Sequence, residues 1–127
     1  MTDRLPIQQL LQTLYAARVA GELEPLCRTF ADYASFQIAG SSEGRPISIN
    51  ALGVAQFRPW LSILIKTFKI SDYKILSTII DAPKAAVQWR CTIHSKITGV
   101  AVPTELVDLI EVRDGRVASY IEFFVPC

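Results

Sequence analysis

The stretch TELVDLIEVRDGRVASYIEFFVP, residues Thr104–Pro126, decides the fold that this sequence predicts. β-Branched and aromatic residues flank Asp114-Gly115, a dipeptide typical of two-residue hairpin turns. We therefore expect a strand, a tight turn and a second strand. Because successive side chains of a strand point to opposite faces, Asp108 and Glu122 each fall among apolar neighbours. Neither face is cleanly polar, which indicates a ribbon that is covered on both sides.

Alternation sorts the side chains of this hairpin and of the strand before it. One face of the hairpin carries Thr104, Leu106, Asp108, Ile110 and Val112 with Tyr120, Glu122 and Phe124. The preceding strand, Ala86–Ile97, has an apolar face of Val87, Trp89, Cys91 and Ile93, and a polar face of Gln88, Arg90, Thr92 and His94. This second pattern predicts a half-buried antiparallel strand.

The N-terminal half has helical periodicity instead. After a cap at Thr2 or Asp3, apolar residues recur at helical spacing until Gly21. A short helix at Pro25–Phe30, a strand hairpin within Tyr33–Ile49 and a helix at Leu52–Phe68 follow, with a kink or a break expected at Pro59. Four antiparallel strands complete the chain, beginning at Tyr73. This order predicts an α+β fold.

Composition limits the classes of protein that fit. Half of the 127 residues are hydrophobic and 20% are charged, with a mean hydropathy of +0.29. This length predicts a single domain, residues 1–127, and the apolar surplus predicts a subunit interface or a sizeable pocket. With 13 Lys+Arg against 12 Asp+Glu, we expect neither nucleic acid nor anionic lipid as a partner. No signal peptide or membrane span is evident, so we expect a cytoplasmic protein.

The cysteines and the single histidine argue against a metal or a disulfide framework. Cys27, Cys91 and Cys127 are odd in number and widely spaced, and His94 is the sole histidine. Such a set favours a reducing compartment and disfavours a zinc site. The sequence also has no glycine-rich phosphate-binding motif. We expect no metal and no cofactor.

Two segments carry a family resemblance: AGELEPLCRTFADYASFQIAG after the first helix, and VRDGRVASYIEFF near the end. With them the chain, from about Leu10 to Phe124, resembles the SnoaL-like and ketosteroid-isomerase-like branch of the NTF2-like superfamily. The resemblance implies a cystatin-like cone: a strongly curved, mixed or antiparallel sheet wrapped around three helices of the N-terminal half. An apolar pocket opens at one end, and homodimers commonly form across the outside of the sheet.

The resemblance to ketosteroid isomerases carries over one acid. Their general-base aspartate falls at Ile38, which cannot move a proton, and their oxyanion tyrosine falls at Leu14. Tyr15 is next in sequence but rotated by about 100° round the helix. The protonated oxyanion aspartate of that family falls on Asp108, which is retained. Classical steroid isomerisation is therefore disfavoured.

Limonene-epoxide hydrolases resemble the chain at the other acid. Their final-strand aspartate matches Glu122 in SYIEFF, whereas their remaining arginine and aspartate fall at Trp89 and Cys91. The charged triad that activates water is missing from these positions, so epoxide hydrolysis is disfavoured as well.

Each candidate catalytic residue has an alternative. Asp108 is either a neutral acid in a dry pocket or an acceptor for a neighbouring loop or helix end. Glu122 either shares that pocket or pairs with a lysine or arginine at its rim. Tyr120 either donates to a ligand or is a core tyrosine. Cys91, a nucleophile only with a base beside it, is better read as a buried filler, because His94 lies on the opposite face.

We expect a further set of side chains to converge on one cavity and line a ligand: Phe36, Ile38, Phe57, Leu61, Trp89, Cys91, Ile110 and Phe124. Two functions fit this site. One is a cofactor-independent acid–base enzyme, an isomerase, cyclase or dehydratase, acting on a small apolar carbonyl compound. The other is a non-catalytic ligand-binding or structural homodimer.

Overall fold

A computed structural model describes residues 4–42 and 44–126. The predicted helix cap at Thr2 or Asp3 lies outside these residues. The elements follow in the order α1 (Arg4–Ala20), α2 (Leu23–Arg28), β1 (Phe30–Ser42), β2 (Arg45–Leu52), α3 (Val54–Thr67), β3 (Phe68–Asp81), β4 (Lys84–Ser95), β5 (Ala101–Arg113) and β6 (Arg116–Pro126). The predicted α+β order is confirmed.

The strands form one mixed sheet in the order β2-β1-β6-β5-β4-β3. Strands β3 to β6 make an antiparallel meander, and β1 joins it through a parallel pairing with β6. The sheet is curved and unclosed, with the helices of the N-terminal half against it. This is the predicted cone.

The C-terminal hairpin has the predicted turn and register. Asp114 and Gly115 have φ of 52° and 77°, the left-handed conformation at both central positions that a type I′ turn requires. Asp108 faces Glu122 across the β5–β6 pair, and Ile110 faces Tyr120. Cross-strand partners share a face, so the two acids lie side by side on the inner face of the sheet.

Aromatic side chains fill the end of the cone beneath the N-terminus of α3. Phe57 lies 5.0 Å from Phe30 and 5.2 Å from Phe36 between ring centroids, and Phe36 stacks on Tyr120 at 5.7 Å. These rings, with Leu14 of α1, are almost fully buried. Helix α3 runs unbroken through Pro59, so a two-piece helix is wrong.

The outer face of the meander remains apolar. Val107, Leu109, Phe123 and Val125 are 39–63% exposed there, alternating with the buried residues of the same strands.

None of the helices within residues 4–42 and 44–126 is long and apolar enough to cross a membrane.

Candidate functional site

Asp108 lies at the centre of a buried hydrogen-bond network. Its side chain is 0% exposed, and Oδ2 accepts three hydrogen bonds: from the Tyr15 hydroxyl at 2.5 Å, the Tyr120 hydroxyl at 2.6 Å and the Trp89 indole N–H at 2.9 Å. Among the described residues, Oδ1 has no hydrogen-bond partner. All three of these donors therefore meet the same oxygen.

Glu122, the second acid, is paired with an arginine from the first helix. The Glu122 side chain is 3% exposed, and both of its oxygens accept from the Arg18 guanidinium, Oε1 at 2.8 Å from the second terminal nitrogen. The Arg18 guanidinium carbon lies 5.1 Å from the centroid of the Trp89 ring, a distance at which cation–π attraction contributes. Arg18 itself remains 17% exposed.

Tyr120 connects the two acids. Its hydroxyl accepts a hydrogen bond from Arg18 at 3.0 Å. It lies within donating distance of both Asp108 Oδ2, at 2.6 Å, and Glu122 Oε2, at 3.1 Å. A phenol has a single proton to donate, so Tyr120 donates to one acid or to the other. The side chains of Asp108, Tyr120 and Glu122 form a continuous path for a proton.

The environment separates the pKa values of the two acids. Burial and the nearby Glu122 carboxylate raise the pKa of Asp108 well above its ordinary value, although Arg18 opposes them. Burial would also raise the pKa of Glu122, but the charge and the hydrogen bonds of Arg18 outweigh it and lower that pKa. The environment therefore favours the protonated form of Asp108 and the ionised form of Glu122, the partner of Arg18.

A cavity of about 590 Å³ opens beside this network. Its floor consists of the buried side chains Leu26, Ile38, Leu61, Thr104, Leu106 and Glu122, with Arg18. Its mouth is lined by exposed residues, among them Ile47, Phe68, Lys96, Thr98 and Val100. The walls are mainly aliphatic, so the Arg18–Glu122 pair is the principal polar feature that a ligand meets at the floor.

The predicted ligand-binding residues divide between the cavity and the core. Ile38, Leu61 and Phe124 line the cavity, and so does Glu122. The others are buried in the core and do not line it: Phe36, Phe57, Trp89, Cys91 and Ile110, together with Asp108 and Tyr120. The reason is that α1 and the start of α3 fill that end of the cone, leaving the space nearer the β4–β5 turn open.

Two residues of this site, Tyr15 and Arg18, were not singled out by the sequence. Tyr15, rather than Leu14, meets Asp108, because Leu14 points into the aliphatic core and is 0% exposed. Arg18 supplies a guanidinium to Glu122 from helix α1. The resemblance to epoxide hydrolases instead implied an arginine position on a strand. Residues three apart share one side of a helix, so the Tyr15/Arg18 spacing was the available signal.

Cys91 does not add a nucleophile to this site. The side chain is buried, and burial raises the pKa of its thiol to about 11, so it stays protonated near neutral pH. His94 bonds instead to Ser71 at 2.7 Å on the other face of the sheet. Within the described part of the chain, no cluster of three or more His, Cys, Asp or Glu side chains is arranged to hold a metal ion.

Solved structures share this fold. A Bacillus subtilis protein described as a "Putative Isomerase" is 20% identical, with a TM-score of 0.82 over 98% of this chain and 89% of its own. An NTF2-like protein from Burkholderia xenovorans LB400 is 20% identical, with a TM-score of 0.77 over 94% and 89%. An LEH-like epoxide hydrolase from M. tuberculosis is 13% identical, with a TM-score of 0.71 over 91% and 80%. At these identities the likeness shows the fold.

Sequence comparison also assigns the chain to a known domain family. The profile of the SnoaL-like domain matches residues 11–120, which include Tyr15, Arg18, Asp108 and Tyr120 and stop just short of Glu122. No curated protein matches the sequence.

Proposed function

The chain belongs to the SnoaL-like domain family, and from that premise we propose that its pocket houses a cofactor-independent acid–base enzyme acting on a small apolar carbonyl compound. A small-molecule pocket is what the family and the cavity support directly. The observation that carries the proposal is the largely buried Arg18–Glu122 pair in a cavity whose walls are mainly apolar.

Arg18 is the group that polarises the substrate. Its bonds to Glu122 and Tyr120 use three of its five N–H donors, which leaves two for a carbonyl oxygen at the cavity floor. A guanidinium aimed at an oxygen where negative charge develops stabilises an enolate more strongly than the neutral ketone. Because Arg18 is only 17% exposed, that electrostatic effect is screened less than it would be in bulk water.

Glu122 is the group that removes the proton. It is ionised, it lines the cavity, and it lies beside the group that binds the carbonyl. The pairing with Arg18 makes it a weak base in the free protein. As Arg18 turns its charge toward a substrate oxygen, the hold on Glu122 weakens and its basicity rises. Binding of the carbonyl oxygen by Arg18 thereby acidifies the neighbouring C–H group of the substrate and makes Glu122 a stronger base.

Asp108 and Tyr120 act behind this pair. Asp108 and Tyr120 do not line the cavity, so a proton from Asp108 reaches the substrate only by way of Tyr120 and then Glu122. A proton that Glu122 takes from carbon stays on Glu122, since Asp108 already holds its own proton, and Glu122 returns it to the substrate. Proton transfer next to a carbonyl is the step shared by isomerases, some cyclases and dehydratases. A structural neighbour described as a "Putative Isomerase" fits this class.

A non-catalytic binding protein is the second candidate. Two observations favour it: Ile38 lines the cavity where ketosteroid isomerases have their base, and the lowered pKa of Glu122 makes it a poor base. In this case the Arg18–Glu122 pair only orients a polar group of the ligand. In either case we propose a homodimer formed through the outer face of the sheet.

Deuterium exchange separates the two candidates. A panel of cyclic ketones and β,γ-unsaturated ketones is incubated in D₂O with the protein, and loss of the α-proton signal is followed by NMR. For the enzyme we expect catalysed exchange that Glu122→Gln reduces by about 100-fold or more, the usual scale for a general base. Glu24→Gln, which removes an exposed acid paired with Arg58, is the matched control. If no ketone of the panel exchanges faster than in buffer, the enzymatic function is rejected in favour of the binding protein.

A further inference from the structure

The mouth of the cavity carries a positive charge without an acidic partner. Among the residues that line the cavity, the one acid is Glu122, and Arg18 already neutralises it at the floor. Lys96 lines the same cavity on its exposed side. Within residues 4–42 and 44–126, Lys96 makes no ion pair with Asp or Glu. The cavity thus runs from a neutralised ion pair to an uncompensated cation.

The Lys96 ammonium group is held at this rim by the backbone. Its Nζ donates to the Ile65 carbonyl at 3.2 Å, and its backbone N–H donates to the Thr67 carbonyl at 2.8 Å. Both contacts fix the β4–β5 turn against the last turn of α3, and Ile65 also lines the cavity. An ammonium group has three donors, so two remain for a group that emerges from the cavity. Lys69 is a second exposed lysine that lines the cavity. Its register partner on β4 is His94, which bonds to Ser71 on the outer face of the sheet.

From this distribution we propose that the ligand is an amphipathic anion: an apolar body with a carboxylate at one end that pairs with Lys96. This inference rests on the proposed function for the position of the reacting carbonyl, which Arg18 holds at the floor. The substrate class is then an apolar keto acid whose carboxylate stays at the wet rim. A carboxylate at the floor is disfavoured, because it would lie beside the ionised Glu122.

Lys96 also has a purely structural interpretation, since a lysine near the C-terminus of α3 interacts favourably with the helix dipole. Stability measurements alone do not distinguish the two roles. A structural lysine supports all ligands equally, whereas a recognition lysine favours anions over neutral molecules of the same shape. The test therefore compares ligands that differ in charge.

Isothermal titration of decanoate and of decan-1-ol against the wild-type protein, Lys96→Gln and Lys74→Gln provides this comparison. Lys74 is exposed, lies on β3 opposite Arg90 and does not line the cavity, so its variant is the matched charge control. We expect decanoate to bind the wild-type protein about three- to fivefold more tightly than decan-1-ol, the scale of an exposed ion pair. Lys96→Gln should abolish this preference, and Lys74→Gln should keep it. Added salt should weaken decanoate binding alone.

Three results overturn the proposal: equal affinity for acid and alcohol, an equal loss of both in Lys96→Gln, or no binding of either ligand. The outcome is independent of the exchange assay, which uses neutral ketones. Selective binding of decanoate without any ketone exchange rejects the enzymatic function and retains the anionic ligand. Ketone exchange without a preference for decanoate rejects the anionic ligand alone.

Discussion

The hydroxyl of Tyr15 donates to Oδ2 of Asp108 across 2.5 Å, joining residues 93 positions apart in the chain. Through this contact α1 is tied to the centre of β5, next to the strand that carries Tyr120 and Glu122. The helix therefore fixes the position of Arg18, one turn further along. The geometry of the candidate site depends on how α1 is seated on the sheet.

Replacing Tyr15 with Phe tests this contact. The ring and its edge-on packing against Trp89, at 5.4 Å, are retained, while Asp108 loses one of its three donors. We expect the free energy of unfolding to fall by about 1–2 kcal/mol, the usual scale for a buried hydrogen bond. Urea denaturation measures it. Tyr33→Phe removes a hydroxyl from a side chain that is 55% exposed and should change stability by less than about 0.5 kcal/mol; equal effects at both positions would contradict the assignment.

The two acids should change stability with opposite dependence on pH. The lowered pKa of Glu122 means that its contribution is present above about pH 4.3 and is lost as the pH falls below that value. The raised pKa of Asp108 means the reverse: its contribution is present below about pH 3.9 and is lost as the pH rises. The cost of Glu122→Gln should therefore shrink toward acid pH, and the cost of Asp108→Asn should shrink toward alkaline pH.

Urea denaturation of the wild-type protein and both variants at a series of pH values gives these differences, in which titrating groups remote from the two acids cancel. Parallel pH profiles for the two variants would show that the acids are not differently protonated. If the proton resides on Glu122 instead, the cost of Glu122→Gln would shrink toward alkaline pH and the cost of Asp108→Asn toward acid pH.

The Arg18–Glu122 pair should be costly to break but not to replace. Arg18→Met leaves a carboxylate buried without its partner and should destabilise the protein by about 3 kcal/mol, the low end of the range because Arg18 is 17% exposed. The double variant Arg18→Met/Glu122→Leu should be more stable than either single variant. The exposed Arg58–Glu24 pair is the control, with an expected cost of about 0–1 kcal/mol. Additive costs at Arg18 and Glu122 would argue against a coupled pair.

Gly40 should be intolerant of a methyl group because of Phe124. A Cβ at Gly40 would lie 2.5–2.7 Å from three atoms of the Phe124 ring, and Phe124 lines the cavity. We expect Gly40→Ala to destabilise the protein by about 1–3 kcal/mol through overpacking. The second change Phe124→Leu should recover part of that loss when both are measured by urea denaturation. If Phe124→Leu gives no recovery, the ring is not the obstacle.

The outer face of the sheet should mediate a homodimer. Leu109 lies at the centre of β5 and is 43% exposed, next to apolar side chains on β6, which is more apolar surface than a monomer normally leaves in water. Light scattering of the wild-type protein should give twice the mass of the chain, and Leu109→Arg should give a monomer. Leu5→Arg, at an exposed position on α1, should leave the dimer intact. A monomeric wild-type protein would contradict this prediction.

The sequence by itself determined the hairpin and the faces of its strands. Strand alternation has a period of two residues and the Asp114-Gly115 turn sets the register, so Asp108 and Glu122 were placed side by side on the inner face from local information alone. The same logic correctly separated Trp89 and Cys91 from Arg90 and His94. The cone-shaped sheet was predicted from the two segments that resemble the SnoaL-like and ketosteroid-isomerase-like proteins.

Only the tertiary structure decided which groups meet those acids and where the cavity lies. The rotation of α1 about its axis, and not the resemblance, brings Tyr15 to Asp108 and Arg18 to Glu122, because the seating of a helix on a curved sheet follows from side-chain packing over its whole length. For the same reason Phe36, Phe57 and Trp89 became core while Ile38 and Phe124 stayed on the cavity wall. Alternation assigns a side chain to a face of the sheet; which part of that face a helix covers depends on contacts between residues far apart in the chain.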